Sequence, residues 1–277
     1  MPELPEVEVC RRGLQPELEG GLIEGVVIRA PKLRQVIPPE LAELLPGCRM
    51  LAVRRRGKYL LIDCQGDGVQ GSLIIHLGMS GHLRFVAHDL PVAKHDHFEL
   101  VLARQSLRLA DPRRFGVVLW QPGPPGEAEK HPLLASQGIE PLSDEFTADW
   151  LYAAASRRSG PIKPLLMDSH LVVGVGNIYA SESLFRAGIS PLRAANRISR
   201  ARYELLVVAI RATLSAAIAA GGSSIRDYVH SDGSSGWFQI QAAVYNRDGA
   251  ACVRCQGVVK QVRQAGRSTY YCPLCQR

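Results

Sequence analysis

The sequence has no uninterrupted apolar run long enough to cross a membrane. Its longest near-apolar stretch, residues 205–220, is broken by Arg211 and by small polar residues. The residues after Met1 are acidic, whereas a secretory signal begins with basic residues and continues with an apolar segment. We therefore expect neither a membrane span nor a secretory signal, and a cytoplasmic location.

The sequence also shows no ATP-binding loop, no acidic cluster typical of a catalytic metal site and no evident Ser/His/Asp set. What it does have is the composition of a packed protein: 277 residues, 46% apolar and 21% charged, enough for one large or two ordinary domains. This balance excludes disorder and fibrous repeats for most of the chain.

The net positive charge is confined to the end of the chain. Residues 1–196 contain 22 Lys and Arg against 22 Asp and Glu, whereas residues 197–277 contain 11 against 4, so the net charge of +7 arises in the last 81 residues. A neutral body with a basic end is typical of a protein that binds a polyanion, most often nucleic acid. A basic surface is about as often only a solubility device, so charge alone leaves both interpretations open.

Four of the seven cysteines form a C-x2-C-x16-C-x2-C pattern, and the other three are scattered. Two C-x-x-C turns can hold one zinc between four thiolates, with room for two short strands between them. Four sulfur ligands leave no open position, so we expect one structural Zn²⁺. Disulfides are the alternative, against which the unmatched cysteines argue. The expected ligands are Cys252, Cys255, Cys272 and Cys275.

Short β-rich runs separated by glycine turns occupy residues 22–121 and predict an antiparallel sandwich or barrel. A Pro/Gly cluster at 121–126 ends this region. The composition then changes to that of helices, one of them capped by Thr147. The predicted strands are 26–29, 59–63, 72–77, 98–102 and 117–120, and the predicted helices are 147–158, 163–170, 177–187 and 199–220.

Residues 171–176, between the second and third of these helices, contain two glycines. They form a helix-turn-helix candidate whose free N–H groups could bind phosphate, although on this evidence alone a plain helical hairpin is the better explanation. Residues 225–241 are rich in Gly, Ser and Asp and predict a flexible loop.

The N-terminus offers a possible nucleophile. Removal of Met1, which the small following residue favours, would expose Pro2 as a secondary amine. A neutral amine can attack a sugar C1′ to give an iminium, and the α-amino reference pKa of roughly 8 leaves part of it neutral near pH 7. Pro5 suits the first turn of a helix. Taken alone, these residues are explained more simply as an acidic, capped helix start.

Five motifs change that interpretation. They are Pro-Glu-Leu-Pro-Glu-Val-Glu at 2–8, His-Leu-Gly-Met-Ser-Gly at 76–81, Asp-Pro-Arg-Arg-Phe-Gly at 111–116, Val-Gly-Val-Gly-Asn-Ile-Tyr-Ala-Ser-Glu-Ser-Leu at 173–184, and the four-cysteine pattern. In this order, and over almost the full length, the sequence resembles the bacterial formamidopyrimidine-DNA glycosylase family.

The resemblance implies an α+β fold with an N-terminal helix and antiparallel β-sandwich at 1–126, a helical helix-two-turn-helix domain at 127–242 and a zinc ribbon at 243–277. It implies a monomeric base-excision-repair glycosylase that removes oxidised purines, such as 8-oxoguanine and formamidopyrimidines, from damaged double-stranded DNA. An AP lyase activity would then cut the strand by β,δ-elimination through a Schiff base on the N-terminal proline. The location implied is the bacterial cytoplasm, on nucleoid DNA.

The resemblance also implies catalytic roles. Pro2 matches the nucleophile, Glu3 the acid that assists sugar-ring opening, and Glu6 a supporting carboxylate. Lys58 matches the lysine of β-elimination, although a solvated basic turn is the simpler interpretation of residues 54–58 alone. Arg267 matches the arginine of phosphate binding and δ-elimination, where we expect it to stabilise charge because a guanidinium does not readily lose a proton.

Contacts with DNA follow from the same resemblance. Met79, Arg113 and Phe115 match three side chains that fill the space left by an extruded base. Met79 and Phe115 would otherwise be assigned to a core, but neighbouring glycines favour exposure. Residues 225–241 correspond to a loop that closes on the extruded base. Phosphate contacts are implied for His95, Arg114, Arg158, Lys163 and Asn177, of which Asn177 could also be an N-cap.

Two alternatives remain. The endonuclease VIII branch of the same fold prefers oxidised pyrimidines, whereas Leu4, the complete 111–116 motif and the long loop favour the purine branch. A non-catalytic zinc-ribbon protein that binds nucleic acid would need only the basic end, the ribbon and the phosphate turn. That alternative leaves Pro2, Glu3 and Lys58 together unexplained.

Overall fold

A computed structural model describes residues 2–222 and 242–277. Met1 and the predicted loop at 225–241 lie outside these residues. The described chain forms two compact units, one of residues up to Ala135 together with Gly221 and Gly222, the other of Ser136–Ala220 and residues 242–277. Within these ranges, no helix is long and apolar enough to cross a membrane.

The first unit consists of one long helix and two antiparallel sheets. Helix α1 (Leu4–Leu18) begins the unit, and the short helices α2 (Leu41–Leu44) and α3 (Pro132–Ala135) lie in connections. One sheet has the order β1 (Gly25–Ile28), β6 (Asp96–Val101), β7 (Ser106–Ala110), β5 (His82–Val86). The other has the order β2 (Arg49–Arg56), β3 (Tyr59–Gly66), β4 (Val69–His76), β8 (Val117–Pro122).

Apolar side chains from both sheets meet in one core, to which α1 contributes Val7 and Leu14. Phe98 and Leu100 of β6 and Leu73 of β4 are buried there, as the alternation of apolar residues requires. The predicted sandwich is therefore confirmed. Residues 127–135, which the sequence assigned to the helical domain, pack through Ala128 and Leu134 against Leu61 and Ile74 of the second sheet.

Strands β2, β5 and β7 were not predicted, because arginines interrupt their apolar pattern. In the structure, arginines on all three strands form ion pairs with acidic residues, and Arg108 is buried. Arg108 of β7 donates to Glu99 Oε2 at 2.9 Å, and Arg84 of β5 donates to Asp96 Oδ1 at 2.7 Å. A charged residue can occupy a buried strand position only when its partner is supplied from elsewhere in the chain, which periodicity does not reveal.

The second unit contains α4 (Ala148–Ala155), α5 (Ile162–Leu166), α6 (Asn177–Arg186), α7 (Arg200–Ala219) and the hairpin β9 (Lys260–Gln264) and β10 (Arg267–Tyr271). Thr147 caps α4 as predicted, accepting from Trp150 N at 3.1 Å. Helix α5 ends well before the predicted residue 170, because Leu171 N bonds to Asp168 O and the chain turns towards α6. Apolar residues of α4–α7 share one core, in which Tyr179 and Tyr203 are fully buried.

The sandwich core predicts the effect of a single deletion. Phe98→Ala should lower the free energy of unfolding of the first unit by about 3–5 kcal/mol, because it removes a buried ring and leaves a cavity. Val27→Ala, at a position of β1 that is 38% exposed, is the control and should change it by less than about 0.5 kcal/mol. Urea unfolding measures both, and equal effects would contradict the assigned core.

Candidate functional site

The N-terminal helix begins at a buried pair of carboxylates. Glu3 is the N-cap of α1, and Glu3 and Glu6 form a reciprocal capping box in which Glu3 N donates to Glu6 Oε2 at 2.8 Å. Glu3 is 2% exposed and Glu6 is fully buried. The residues therefore do form a capped helix start, directly after Pro2 in the chain. The positive end of a helix would disfavour a protonated amine at Pro2 once Met1 is removed.

A chain of contacts connects α1 to the turn that carries Lys58. Glu8 of α1 binds Arg55 at 3.1 Å, and Arg55 Nη1 donates to Gly57 O at 3.0 Å. Burial opposes ionisation of Glu8, but hydrogen bonds from Arg11, Arg12 and Arg55 outweigh it and lower its pKa to about 2. Lys58 thus lies in the two-residue turn between β2 and β3 rather than within a strand, at a place fixed by an ionised carboxylate.

His76 is a residue of this site that the sequence analysis did not single out. Its ring lies 4.6 Å from that of Tyr59, and its Nδ1 accepts from Gly78 N at 3.0 Å. Burial first, then the positive charges of Lys58 and Arg34, lower the pKa of His76 to about 4. The imidazole is therefore neutral at pH 7. Its position as the first residue of the 76–81 motif was the available signal.

The side chains proposed to fill the space left by an extruded base lie on two turns of the first unit. Met79 and Phe115 are 38% and 44% exposed, so neither is a core residue. The Arg113 guanidinium lies 5.1 Å from the centroid of the Phe115 ring. Arg114 is exposed beside them with a positive φ of 54°, and His95 is partly buried before β6.

In the second unit, a buried lysine joins α5, α6 and β10. Lys163 is 1% exposed, and its Nζ donates to Asn177 Oδ1 at 2.6 Å, Thr269 Oγ1 at 2.8 Å and Ser268 O at 3.0 Å. Asn177 also donates to Ser268 O at 3.0 Å. Because Gly176 is the N-cap and Asn177 is the first helical residue, its amide does not cap α6 and instead binds the hairpin.

Arg267 and Lys163 line a common cavity of about 260 Å³. Arg267 is exposed at the start of β10, directly after the turn at Ala265 and Gly266. The two cations and the Thr269 hydroxyl suit an anion such as phosphate, although the lining also includes the carboxylate of Asp168. Arg158 is exposed after the end of α4, outside this cavity lining.

The four predicted zinc ligands are brought together. Their Sγ atoms all lie within 4.8 Å of one another, with Cys252 and Cys275 3.8 Å apart and Cys255 and Cys272 3.5 Å apart. A tetrahedron with Zn–S bonds of ~2.3 Å has edges of ~3.8 Å, so the four thiolates fit one zinc ion. All four ligands come from the protein and leave no open position, which is typical of a structural site.

A buried carboxylate fastens the ribbon to α6. Glu182 accepts three backbone hydrogen bonds, from Ala243 N at 2.9 Å, Val244 N at 3.0 Å and Tyr245 N at 2.8 Å. Arg254 adds bonds to the C-terminal carbonyls of α6, at Phe185 O and Arg186 O. The position of the hairpin that carries Arg267 is therefore determined by contacts with the helices.

Comparison with known proteins finds matches over the whole chain. Family models match for the formamidopyrimidine-DNA glycosylase N-terminal domain (residues 1–118), its H2TH domain (137–229) and the zinc finger found in FPG and IleRS (249–277). The formamidopyrimidine-DNA glycosylase of Dechloromonas aromatica (strain RCB) is 80% identical over 276 residues, covering 100% of both chains.

Comparison with solved structures gives the same family. A Lactococcus lactis Fpg variant bound to DNA containing Fapy-dG has a TM-score of 0.91 and 35% identity and covers 100% of both chains. The complex of Lactococcus lactis Fpg with DNA containing an abasic site has a TM-score of 0.90 and 35% identity over 99% of each chain. Fold, capped N-terminus and ribbon together define a helix-two-turn-helix DNA glycosylase. Within that class, the chain belongs to the formamidopyrimidine-DNA glycosylase family.

The His76 environment predicts a pH effect. His76 binds a proton in the unfolded chain below a pKa of about 6.5, but in the native protein only below about 4. The unfolded state therefore binds more protons between these values, and His76 makes stability fall as the pH drops from 6.5 to 4. The ring resonances of His76 in NMR should titrate near pH 4, and a midpoint near 6.5 would contradict this environment.

The zinc site predicts coupled loss of folding and DNA binding. Chelation or Cys272→Ser should unfold the ribbon, because binding free energy is folding free energy at such a site, and should weaken binding of duplex DNA. Val253→Ala, at a 58% exposed position between two ligands, is the control and should leave both unchanged. Unchanged DNA affinity after zinc loss has been verified by metal analysis would refute the prediction.

Proposed function

We propose that this protein excises oxidised purines from duplex DNA and then cuts the strand at the abasic site, with Pro2 as the nucleophile. The observation that carries this proposal is the buried capping box of Glu3 and Glu6, which fixes the residue directly after Pro2 at the start of α1. Relatives of the same family have been solved with formamidopyrimidine and abasic-site DNA. The formamidopyrimidine complex supports oxidised purines as the substrate class, and the abasic-site complex supports strand cleavage at the abasic site as the second step.

Base excision begins at the Pro2 nitrogen once Met1 has been removed. Its lone pair forms a bond to C1′ as the bond from C1′ to the lesion base breaks, and the base leaves with a proton. Ring opening moves the C1′–O4′ electron pair to O4′, which Glu3 protonates, and an iminium forms between Pro2 and C1′. Glu6, hydrogen-bonded to Glu3 N, keeps this segment in place.

Strand cleavage follows by elimination. Loss of the C2′ proton to a base expels the 3′ phosphate, and loss of the C4′ proton to a base then expels the 5′ phosphate. Water hydrolyses the remaining iminium and frees the Pro2 amine. Lys58, whose turn is fixed through Arg55 and Glu8, serves the first elimination. Arg267 stabilises charge on a phosphate. Cys252, Cys255, Cys272 and Cys275 would hold one zinc ion, whose role would be to stabilise the ribbon that carries Arg267.

Two sets of residues bind the DNA: a filling group, formed by Met79, Arg113 and Phe115, and a set of phosphate contacts. Met79, Arg113 and Phe115 enter the space left by the extruded nucleotide. Phosphates are held by His95, Arg114, Arg158, Asn177 and Lys163. Because Lys163 Nζ is buried, we propose that its charge acts through Asn177 and the β9–β10 hairpin, to which it is bonded.

We further propose that the protein acts as a monomer on nucleoid DNA in the bacterial cytoplasm, with domains at 1–126, 127–242 and 243–277. The second candidate is a preference for oxidised pyrimidines, as in the endonuclease VIII branch. The complete 111–116 motif favours purines. Parallel assays should show 8-oxoguanine excised faster than an oxidised thymine, and the reverse order would replace the first candidate with the second.

Substitution of the nucleophile tests the proposed chemistry. Pro2→Gly should lower base excision on the order of 100-fold or more, because the secondary amine is lost, while duplex binding changes less than about threefold. Pro5→Ala is the matched control, since it replaces a proline three residues away, in the first turn of α1, and leaves the amine intact. Equal loss of binding and excision in Pro2→Gly, or loss of neither, would contradict a catalytic Pro2.

A further inference from the structure

Two turns of the first unit meet over one buried carboxylate that the proposed chemistry does not use. Asp111 is fully buried; its Oδ1 accepts from Ser80 Oγ at 2.8 Å and its Oδ2 accepts from Gly116 N at 2.7 Å. Ser80 Oγ in turn accepts from Arg113 N at 3.2 Å. Ser80 follows Met79 and Gly116 follows Phe115, so these three bonds join the two segments that carry the proposed filling group.

The two turns also touch backbone to backbone. Gly78 has a φ of +63°, and a Cβ placed on it would lie 2.5 Å from the carbonyl carbon of Phe115 and 2.6 Å from Gly116 N. Such a separation is possible only for glycine. The two turns therefore pack in direct backbone contact, and the hydrogen bonds of Asp111 join them at that contact.

The backbone of Asp111 extends this connection to a third segment. Asp111 N donates to His95 O at 3.0 Å, and Asp111 O accepts from Arg114 N at 3.1 Å. His97 Nε2 also lies 3.0 Å from Asp111 O. One residue thus connects the strand end at His95, the turn at Met79 and the turn at Arg113 to Phe115.

We propose that Asp111 and Ser80 are positioning residues, a clamp that holds Met79, Arg113 and Phe115 in one fixed arrangement so that they enter the DNA together. The proposal rests on the proposed function. Separating stacked bases costs a few kcal/mol per step, so side chains on turns that can move apart would be pushed back rather than open the stack. A buried carboxylate is costly to leave without its donors, which makes the closed arrangement the stable one.

Ser80→Ala is the informative variant. It removes the hydroxyl that bonds one turn to Asp111 and Arg113 of the other, and it leaves the Asp111 bond to Gly116. Ser80→Thr retains a hydroxyl and should recover most of the lost activity. Ser72→Ala is the matched control: Ser72 Oγ donates to Asp63 Oδ1 at 2.6 Å, also a buried serine–aspartate bond, but within the β3–β4 pair and away from both turns.

The assay compares two substrates under single-turnover conditions. Excision of 8-oxoguanine from a duplex requires opening of the stack, whereas cleavage of an abasic site in single-stranded DNA does not. Ser80→Ala should excise about tenfold more slowly, the equivalent of one hydrogen bond to a charged group, and should cleave the single strand within about twofold of the native rate. The fluorescence rise of 2-aminopurine placed beside the lesion should slow to the same extent.

The other outcomes would overturn either the clamp or the proposed function. Native excision by Ser80→Ala, or equal loss on both substrates with a melting temperature like that of Ser72→Ala, would overturn the clamp. A tenfold loss in Ser72→Ala as well would show that any buried serine–aspartate bond has this effect and would also overturn it. If the unsubstituted protein acts on neither substrate, the proposed function fails instead, so the two failures are distinguishable.

Discussion

Buried carboxylates that accept backbone N–H groups hold the functional segments of this protein in place. Glu6 accepts from Glu3 N next to Pro2, the proposed nucleophile, and Asp111 accepts from Gly116 N next to Phe115 of the proposed filling group. Glu182 accepts from three residues at the start of the ribbon. A carboxylate taken out of water must be satisfied by donors, so each of these bonds selects one local conformation. Side chains on turns and at a chain terminus thereby obtain the rigidity that excision chemistry requires.

Much of the fold could be predicted from local patterns. The cysteine spacing predicts the ribbon, and Thr147 predicts the start of α4, because in both cases the determining residues are close in sequence. Strands β5 and β7 could not be predicted, because Arg84 and Arg108 occupy them and their buried partners, Asp96 and Glu99, lie on another strand. Long-range ion pairs leave no periodic signal in a single sequence.

The functional site, like the fold, could be predicted only in part. Motif resemblance identified Lys58 and the exposed side chains Met79 and Phe115. It did not reveal that Lys163 is buried, because only the folded chain brings Asn177 and Ser268 to its ammonium group. It also did not single out His76, whose pKa is lowered first by burial and then by the charges of Lys58 and Arg34. Residue type and order predict which chemistry is available, whereas burial and neighbouring charges determine how each group is used.

Borohydride trapping tests the central claim most directly. The protein is mixed with a labelled duplex containing one 8-oxoguanine opposite cytosine, reduced, digested and mapped by mass spectrometry. An iminium is reduced to a stable amine, so the account predicts a covalent adduct at the nitrogen of Pro2. An adduct at a lysine, or none in protein shown to lack Met1 and to bind the duplex, would contradict it.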